Sequence, residues 1–243
     1  MSNSYFQFKQ FIIHQDRCAM KVTTDGCLFG AWIAQKIKSR NDGSRKLLDI
    51  GTGTGLLSML LAQENNLAID AVEIDKDAFE QATENVRASP WNDTIKVIHA
   101  DAMNFEASDQ YDIIISNPPF YEKEWKGDDL KKNLAHHNDG LLFPGLLQIV
   151  KKNLKPDGRF FLLLPFKRNE EIKKLFVENK LAIQQLTLVR QSINNAYFRI
   201  LLEGKLKRAT PNETMIDEIS IKDDNDQYTQ EFIHLLNVYY LHL

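Results

Sequence analysis

Short apolar or β-branched segments alternate with segments of helical periodicity along most of this chain, and this alternation restricts its fold more than any other feature. Strands separated by helices form parallel sheets, because a parallel connection must cross back over the sheet. The seven candidate strands cover residues 46–50, 68–74, 95–99, 111–116, 159–164, 182–190 and 196–203. The turn-forming pair Asn194-Asn195 separates the last two, so the last strand is predicted to run antiparallel. The pattern predicts an α/β fold with a seven-stranded, mostly parallel sheet.

The length and composition suit one globular domain. The 243 residues, of which 43% are hydrophobic and 26% charged, can bury one large core, so we predict a single domain over 1–243 that ends in a helix over 228–242. No apolar run approaches the roughly 20 residues of a membrane helix, and no signal-peptide pattern opens the chain. We therefore predict a cytoplasmic protein without a membrane partner. Cys18 and Cys27 provide neither a disulfide framework nor a metal-ligand spacing, so no metal is predicted.

Charge is unevenly distributed along the chain. The formal net charge is −3, yet residues 151–208 hold 14 basic and 5 acidic residues. Such a segment could supply a phosphate-binding face, or it could be a set of solvated helix faces. Charge alone does not decide between these interpretations.

A glycine-rich loop, 51–55, follows the first predicted strand and precedes a leucine-rich helix. Glycines there allow a ligand to approach the backbone closely. The sixth position of the loop is Leu56 rather than glycine, and no Lys-Ser/Thr pair follows, so a dinucleotide fingerprint and a P-loop are both disfavoured. Glu73 ends the next strand about 20 residues later, where a carboxylate can accept hydrogen bonds from ribose hydroxyls. The loop therefore predicts a nucleoside-containing ligand, and the alternative is a simple strand-to-helix turn.

The motif Asn117-Pro118-Pro119-Phe120 follows the fourth predicted strand, at the carboxyl end where open α/β sheets bind ligands. The exocyclic amine of a base is a weak nucleophile because its lone pair is delocalised into the ring. Alkyl transfer to it therefore needs hydrogen-bond acceptors, which the Asn117 side chain and the Pro118 carbonyl can supply in a backbone made rigid by two prolines. Phe120 offers a stacking face for a planar substrate. The motif predicts group transfer to a planar amine.

The two motifs together resemble those of the class I S-adenosylmethionine-dependent amino-methyltransferases. Further segments are similar to the bacterial tRNA1(Val) adenine N6-methyltransferases, namely 8–11, 16–22, 24–26, 89–91 and 228–243. The resemblance covers essentially the whole chain and implies an α/β, three-layer, Rossmann-like class I methyltransferase fold. It implies S-adenosylmethionine as cofactor, a tRNA substrate, and N6-methylation of adenine 37 in tRNA1(Val). It also implies that residues 1–45 are an N-terminal extension of the methyltransferase domain that covers the cofactor and substrate side.

The same resemblance implies a role for individual residues. The methionine moiety of the cofactor would be held by Asp49 and by the loop residues Gly51, Thr52, Gly53 and Gly55. The ribose would be bound by Glu73, the face of the adenine by Ile74, and the adenine amine by Asp101, which Ala102 follows. The catalytic set would be Asn117, Pro118, Pro119 and Phe120. The long polar stretch 121–138 would be a substrate-side lid or an RNA contact.

Three alternatives remain open for the function. The acceptors suit any planar amine, so a methyltransferase acting on guanine N2 of ribosomal RNA is one of them. Glutamine N5-methyltransferases that act on release factors share the Asn-Pro-Pro-aromatic motif, but they have a sizeable helical domain before the glycine loop, for which the 46 residues before Leu47 leave little room. A cofactor-binding RNA module without catalysis is the third. The oligomeric state and the residues that read the tRNA are not predicted.

Overall fold

The computed structural model of the protein describes residues 3–38, 45–118, 143–207 and 213–243. The strands are β1 Tyr5–Gln7, β2 Ile12–His14, β3 Arg45–Ile50, β4 Leu67–Glu73, β5 Ile95–His99, β6 Tyr111–Ser116, β7 Leu154–Pro165, β8 Leu181–Ser192, β9 Tyr197–Leu206 and β10 Met215–Lys222. The helices are α1 Thr24–Ile37, α2 Leu56–Glu64, α3 Lys76–Arg87, α4 Phe143–Asn153, α5 Asn169–Glu178 and α6 Gln230–Leu236. A 3₁₀ turn, Phe166–Arg168, precedes α5.

Eight of these strands form one sheet, in the order β10-β8-β9-β7-β6-β3-β4-β5. The strands from β7 to β5 in that order pair in parallel, and so do β10 and β8. Among the described strands of the sheet, β9 alone runs antiparallel to its neighbours, β7 and β8. It follows the Asn194-Asn195 turn, so the predicted α/β class and the predicted antiparallel strand are both confirmed.

The predicted count of seven strands is one too low, because β10 adds an eighth at the edge of the sheet. The first four residues of β10 are exposed, and its buried side chains are Ile219 and Ile221. A strand at the edge of a sheet can remain largely solvated, and its acidic residues weaken the apolar signal on which strand prediction depends. The sequence pattern therefore missed β10.

The sheet is covered by helices on both faces, which gives the three predicted layers. Successive strand residues point to opposite faces. Leu47 and Phe161 lie in a core that includes residues of α1, α2 and α6, whereas Leu48 and Phe160 lie in a second core that includes residues of α4 and α5. The strands are consequently apolar at consecutive positions, as expected for a parallel sheet buried on both sides.

The N-terminal and C-terminal segments pack against each other. The short strands β1 and β2 form an antiparallel ribbon, which the sequence pattern did not predict. The last helix is shorter than the predicted 228–242, because it ends at Leu236 and the chain then turns. The turn lets Tyr239 accept a hydrogen bond from the Lys9 N–H at 2.8 Å and lets Tyr240 form a bridge with Phe8. These tertiary contacts end the helix, and the local sequence pattern carries no sign of them.

We expect the substitution Gly204→Ala to destabilise the sheet. Gly204 pairs with Phe160 across β9 and β7, and a Cβ at Gly204 would lie 2.2 Å from Cζ of the buried Phe160 ring. Overpacking of a buried site costs about 1–3 kcal/mol, so the free energy of unfolding measured by denaturant titration should fall by that amount. Adding Phe160→Leu to Gly204→Ala should recover part of the loss. An unchanged unfolding midpoint for Gly204→Ala alone would contradict this account.

Candidate active site

The site is built from strand ends that are adjacent in the sheet. Ile50, the last residue of β3, pairs with Val72 of β4 and with Ser116 of β6, and Glu73 of β4 pairs with His99 of β5. The glycine loop, Glu73 and Asn117 therefore all leave the sheet at its carboxyl edge. The Ser116 hydroxyl donates to the Ile50 carbonyl at 2.8 Å, which ties the ends of β3 and β6 together.

The glycine loop is an open turn between β3 and α2. The N–H groups of Gly51 and Thr52 both donate to the Val72 carbonyl, at 2.9 and 3.1 Å. Gly51, Gly53 and Gly55 have φ values of 71°, 58° and 83°, and residues with a Cβ rarely adopt this backbone region. A Cβ added at Gly51 or Gly53 would meet no atom of the described residues within 4 Å. The loop therefore leaves room for a ligand beside its backbone.

Asp49 lies fully buried at the base of the loop. Its Oδ2 accepts hydrogen bonds from the hydroxyls of Thr52 and Ser58, both at 2.7 Å. Its Oδ1 is buried and has no hydrogen-bond partner among the described residues. Burial raises the pKa of Asp49 to about 6, although the two hydroxyl hydrogen bonds act in the opposite direction. Asp49 thus holds the loop through Oδ2, and its Oδ1 remains available to accept a hydrogen bond from a ligand.

Glu73 joins the glycine loop to the start of α3. Its Oε2 accepts from the Gly53 N–H at 2.8 Å, and its Oε1 accepts from the N–H groups of Ile74 at 2.9 Å and Asp75 at 3.0 Å. The side chain is 7% exposed. A carboxylate has about four lone-pair sites, so Glu73 keeps acceptor capacity beside the loop. Asp75 caps α3 by accepting from the Ala78 N–H at 2.8 Å.

Ile74 and Asp101 lie at the carboxyl edge of the sheet, where Ile74 is exposed and Asp101 is hydrogen-bonded. Ile74 is 61% exposed and directly follows Glu73, so it offers an apolar surface beside the carboxylate. Both oxygens of Asp101 already accept hydrogen bonds, from the Met103 N–H and from Asn104 Nδ2, each at 2.9 Å. Ala102 is half-buried and packs against the second core.

Asn117 and Pro118 follow β6 at the edge. Asn117 is half-buried and Pro118 is buried. The Asn117 Nδ2 group approaches the Met20 sulfur at 3.5 Å. The side-chain oxygen of Asn117 has no hydrogen-bond partner among the described residues. The other two predicted catalytic residues, Pro119 and Phe120, and the stretch 121–138 lie outside the described residues.

Residues 14–22, which we call the strap, lie beside Glu73 and Asn117 and bond to α3. Met20 contacts Asn117, and the buried Cys18 lies close enough to Glu73 and Asp75 for their charges to act on its thiol. Burial, followed by these two carboxylates, raises the pKa of Cys18 to about 11. The strap therefore contacts both the predicted cofactor side and the predicted catalytic motif.

Two buried polar residues of α3 hold the strap, and sequence reasoning missed both. Gln81 Oε1 accepts from the Arg17 N–H at 3.1 Å, and Asn85 bonds the backbone of His14. Gln81 and Asn85 are 2% and 1% exposed. They share a helix face with the buried Ala78 and Ala82, so a polar pair four residues apart on an otherwise apolar face is the signal that could have found them.

The described basic residues of 151–207 include many that are held in ion pairs. Many of them pair with acids in different places, with Lys155 bonding Asp112 at 2.8 Å and Arg159 bonding Glu203 at 3.2 Å. Others pair within α5 or between strands, as in the Lys173–Glu170 and Arg190–Glu218 pairs.

No helix in the described part of the chain is long and apolar enough to cross a membrane. In the same ranges, no three His, Cys, Asp or Glu residues are grouped so that they could hold a metal ion.

Comparison with known proteins identifies the family. The model of the family described as "Methyltransferase small domain" matches residues 31–176. Proteins named tRNA1(Val) (adenine(37)-N6)-methyltransferase are 39% identical in Phocaeicola vulgatus, over 100% of both chains, and 40% identical in Dyadobacter fermentans, over 98% of both chains. The relative in Tolumonas auensis is 38% identical over 100% of this chain and 99% of its own.

Solved structures agree on the fold. A predicted O-methyltransferase from Agrobacterium tumefaciens superposes with a TM-score of 0.66 at 16% identity, over 88% of this chain and 96% of its own. A ribosomal protein L11 methylase from Lactobacillus delbrueckii superposes with a TM-score of 0.55 at 16% identity, over 81% and 84% of the two chains. At this identity the likeness supports the fold alone. Together with the full-length relatives, the family match shows that the chain belongs to the methyltransferase small domain family and, within it, to the tRNA1(Val) (adenine(37)-N6)-methyltransferases.

Proposed function

We propose that this protein transfers a methyl group from S-adenosylmethionine to N6 of adenine 37 in tRNA1(Val). The observation that carries the proposal is that an open glycine loop with buried acids and the Asn117-Pro118 acceptors leave from adjacent strand ends. Full-length relatives with that name support the substrate. A tRNA substrate also supports the predicted cytoplasmic location.

The loop residues fit the cofactor on two observations. Asp49 Oδ1 is buried without a partner among the described residues, and the backbone at Gly51 and Gly53 is open. We assign the methionine moiety to Asp49 and the loop residues Gly51, Thr52, Gly53 and Gly55. Glu73 is assigned to accept hydrogen bonds from the ribose hydroxyls, because its carboxylate has a remaining acceptor site and lies against the loop through the Gly53 N–H. The cofactor adenine is assigned to the apolar surface of Ile74, with Asp101 and Ala102 at the next strand end.

In this reaction, the main role of the protein is to position and polarise the target amine. S-adenosylmethionine supplies a methyl group made electrophilic by its sulfonium. The Asn117 side-chain oxygen and the Pro118 carbonyl accept hydrogen bonds from the N6 amine of the target adenine, which localises its lone pair for attack. These acceptors also stabilise the positive charge that N6 gains as the new N–C bond forms and the bond between the methyl group and the sulfonium sulfur breaks. The departing group is then a neutral thioether, and N6 releases one proton to solvent. Pro119 and Phe120 complete the motif in this proposal, with Phe120 stacking on the base.

The domain organisation belongs to the same proposal. We regard 1–243 as one methyltransferase domain, with 1–45 as the extension that covers the cofactor and substrate side. The contacts of the strap with Asn117 and α3 support this arrangement, as does the ion pair between Asp25 of α1 and Arg199 of β9 at 2.7 Å.

A methyl-transfer assay tests the proposed function. Labelled S-adenosylmethionine is incubated with unmodified tRNA1(Val), and the product nucleosides are analysed beside a transcript that lacks adenine at position 37. We expect N6-methyladenosine in the first transcript and no label in the second. Label in ribosomal RNA as N2-methylguanosine, or in a protein glutamine, would contradict the proposal and favour the corresponding alternative. Cofactor binding without transfer to any of these would favour a non-catalytic module.

The affinity for S-adenosylmethionine should depend on pH through Asp49. The pKa of Asp49 is raised to about 6, so the carboxylate that favours a cationic ligand is present above pH 6 and lost below it. The dissociation constant should be flat above that pH and rise about tenfold per unit below it. Asp49→Asn should bind weakly and lose this dependence. Titration calorimetry from pH 5 to pH 8 checks both, and an unchanged pH dependence in Asp49→Asn would refute the assignment.

The same pKa shift predicts the pH dependence of stability. Because the folded pKa lies above the usual Asp value, the folded state binds more protons than the unfolded state between those two pKa values. The contribution of Asp49 to the free energy of unfolding therefore falls as pH rises from about 4 to about 6. Asp49→Asn should remove this part of the pH dependence of unfolding.

A further inference from the structure

Asn85 of α3 makes three hydrogen bonds that end on two different segments. Its Nδ2 donates to the His14 carbonyl at 2.8 Å and to the Thr54 carbonyl at 2.9 Å, and its Oδ1 accepts from the His14 N–H at 2.9 Å. One side chain thus pairs with both backbone polar groups of His14, at the start of the strap, and with the glycine loop.

The bond to Thr54 is buried and the two bonds to His14 are partly buried, which makes the set costly to lose. Asn85 is 1% exposed, and removing its amide would leave the buried Thr54 carbonyl and both backbone groups of the His14 residue without this partner. A buried polar group left unsatisfied costs more than the net gain from an average hydrogen bond. The position therefore has a strong requirement for a side chain that both donates and accepts.

The rest of the strap is held by other residues. Gln15 donates to the Ser4 carbonyl at 2.8 Å and to the Asn3 carbonyl at 3.0 Å, which ties the strap to the N-terminal segment. On α3, Gln81 accepts from the Arg17 N–H, and the Arg17 side chain pairs with Glu80 and Glu84 on the partly exposed surface of the helix. Pairs of this kind contribute little because solvent screens them. Within the strap, Gln15 Oε1 accepts from the Val22 N–H at 2.8 Å, so the segment holds its own shape between these anchors.

We propose that Asn85 is a positioning residue that couples closure of the strap to the geometry of the glycine loop. When the strap is in place, Asn85 holds the Thr54 carbonyl, and Met20 and Cys18 lie beside Asn117 and Glu73. When Asn85 is lost, the strap lifts and the loop loses its tie to α3 in the same event. The inference rests on the proposed function for its kinetic consequence, but its structural consequence can be measured without any RNA.

The thiol of Cys18 reports on the strap directly. It is 7% exposed in the strap, whereas Cys27 is fully buried in α1 and serves as the internal reference. We expect Asn85→Ala to raise the rate of Cys18 alkylation by iodoacetamide about tenfold, with Cys27 unchanged. Peptide mass spectrometry distinguishes the two cysteines. The matched control is Thr83→Ala in the same helix, because the Thr83 hydroxyl bonds only the Phe79 carbonyl of its own helix in the described structure.

A second measurement separates coupling from a loose strap. Asn85→Ala should raise the KM for S-adenosylmethionine about tenfold and lower kcat by no more than about threefold. Gln81→Ala removes a strap anchor without touching the loop, so it should raise Cys18 alkylation with a much smaller change in KM. If Asn85→Ala and Gln81→Ala have equal effects on KM, or if Asn85→Ala leaves Cys18 alkylation at the wild-type rate, the inference is overturned.

Two further arms keep the test decisive. If Cys27 of Asn85→Ala is alkylated as fast as Cys18, the variant has unfolded, and Asn85→Ser is judged by the same criteria. If the wild-type protein binds S-adenosylmethionine but does not methylate tRNA1(Val), the alkylation rates and the dissociation constant replace the kinetic readout. Failure of the proposed function and failure of this inference are therefore seen in different experiments.

Discussion

Replacing Asn117 by alanine should lower kcat for tRNA methylation by about 100- to 1,000-fold, the scale for removing one preorganised polar group aimed at developing charge. The Asn117 oxygen is free of partners among the described residues and follows a strand end adjacent to the glycine loop. Its loss removes an interaction that the amine gains in the transition state. The dissociation constant for S-adenosylmethionine should stay within about twofold, because Asn117 is not assigned to the cofactor.

Two further variants make the Asn117 result specific. Asn117→Asp keeps an acceptor at the same position and should retain more activity than Asn117→Ala. Asn92→Ala changes an exposed asparagine before β5, at the opposite edge of the sheet, and should leave kcat unchanged. Single-turnover kinetics with bound cofactor measures the chemical step. An Asn117→Ala enzyme that transfers methyl at the wild-type rate would exclude Asn117 from catalysis.

Replacing Glu73 by alanine should raise the dissociation constant for S-adenosylmethionine by about 10- to 100-fold, because hydrogen bonds to a charged group contribute more than neutral ones. The Glu73 carboxylate accepts hydrogen bonds from three backbone N–H groups, one of them that of Gly53. Alanine therefore removes both the ribose acceptor and the hydrogen bond that holds Gly53. Titration calorimetry with the cofactor alone measures this effect. The kcat of Glu73→Ala, measured at saturating cofactor, should stay closer to the wild-type value than the kcat of Asn117→Ala.

Control variants separate this effect from a general loss of negative charge. Glu178→Gln removes an exposed carboxylate from the end of α5 and should leave cofactor affinity unchanged. Glu73→Gln keeps the size of the side chain but places an amide group against one of the backbone donors, so its affinity should lie near that of Glu73→Ala. Unchanged affinity in Glu73→Ala would rule out the ribose assignment. Equal loss of cofactor affinity in the Asn117 and Glu73 variants would contradict the division of roles.

Much of the fold could be predicted because it depends on local periodicity. Strands such as β3 and β6 are apolar on both faces, and helices such as α2 and α4 present an apolar face to the sheet. These patterns indicate which residues are buried, and they can be read without knowing the tertiary arrangement. Elements that remain partly solvated gave no such signal, and β10 and the ribbon of β1 and β2 were missed for that reason.

By itself the sequence determined the class of fold, the order of its central strands and helices, and the two motifs at their strand ends. Backbone chemistry explains this, since glycine and proline act on the residues next to them and strand polarity places every such loop at one edge. The tertiary structure alone decided that Asn85 and Gln81 meet the strap, that Glu73 binds the Gly53 N–H, and that Met20 lies beside Asn117. Those partners are far apart in the chain, and a hydrogen bond between distant residues depends on packing that no local pattern encodes.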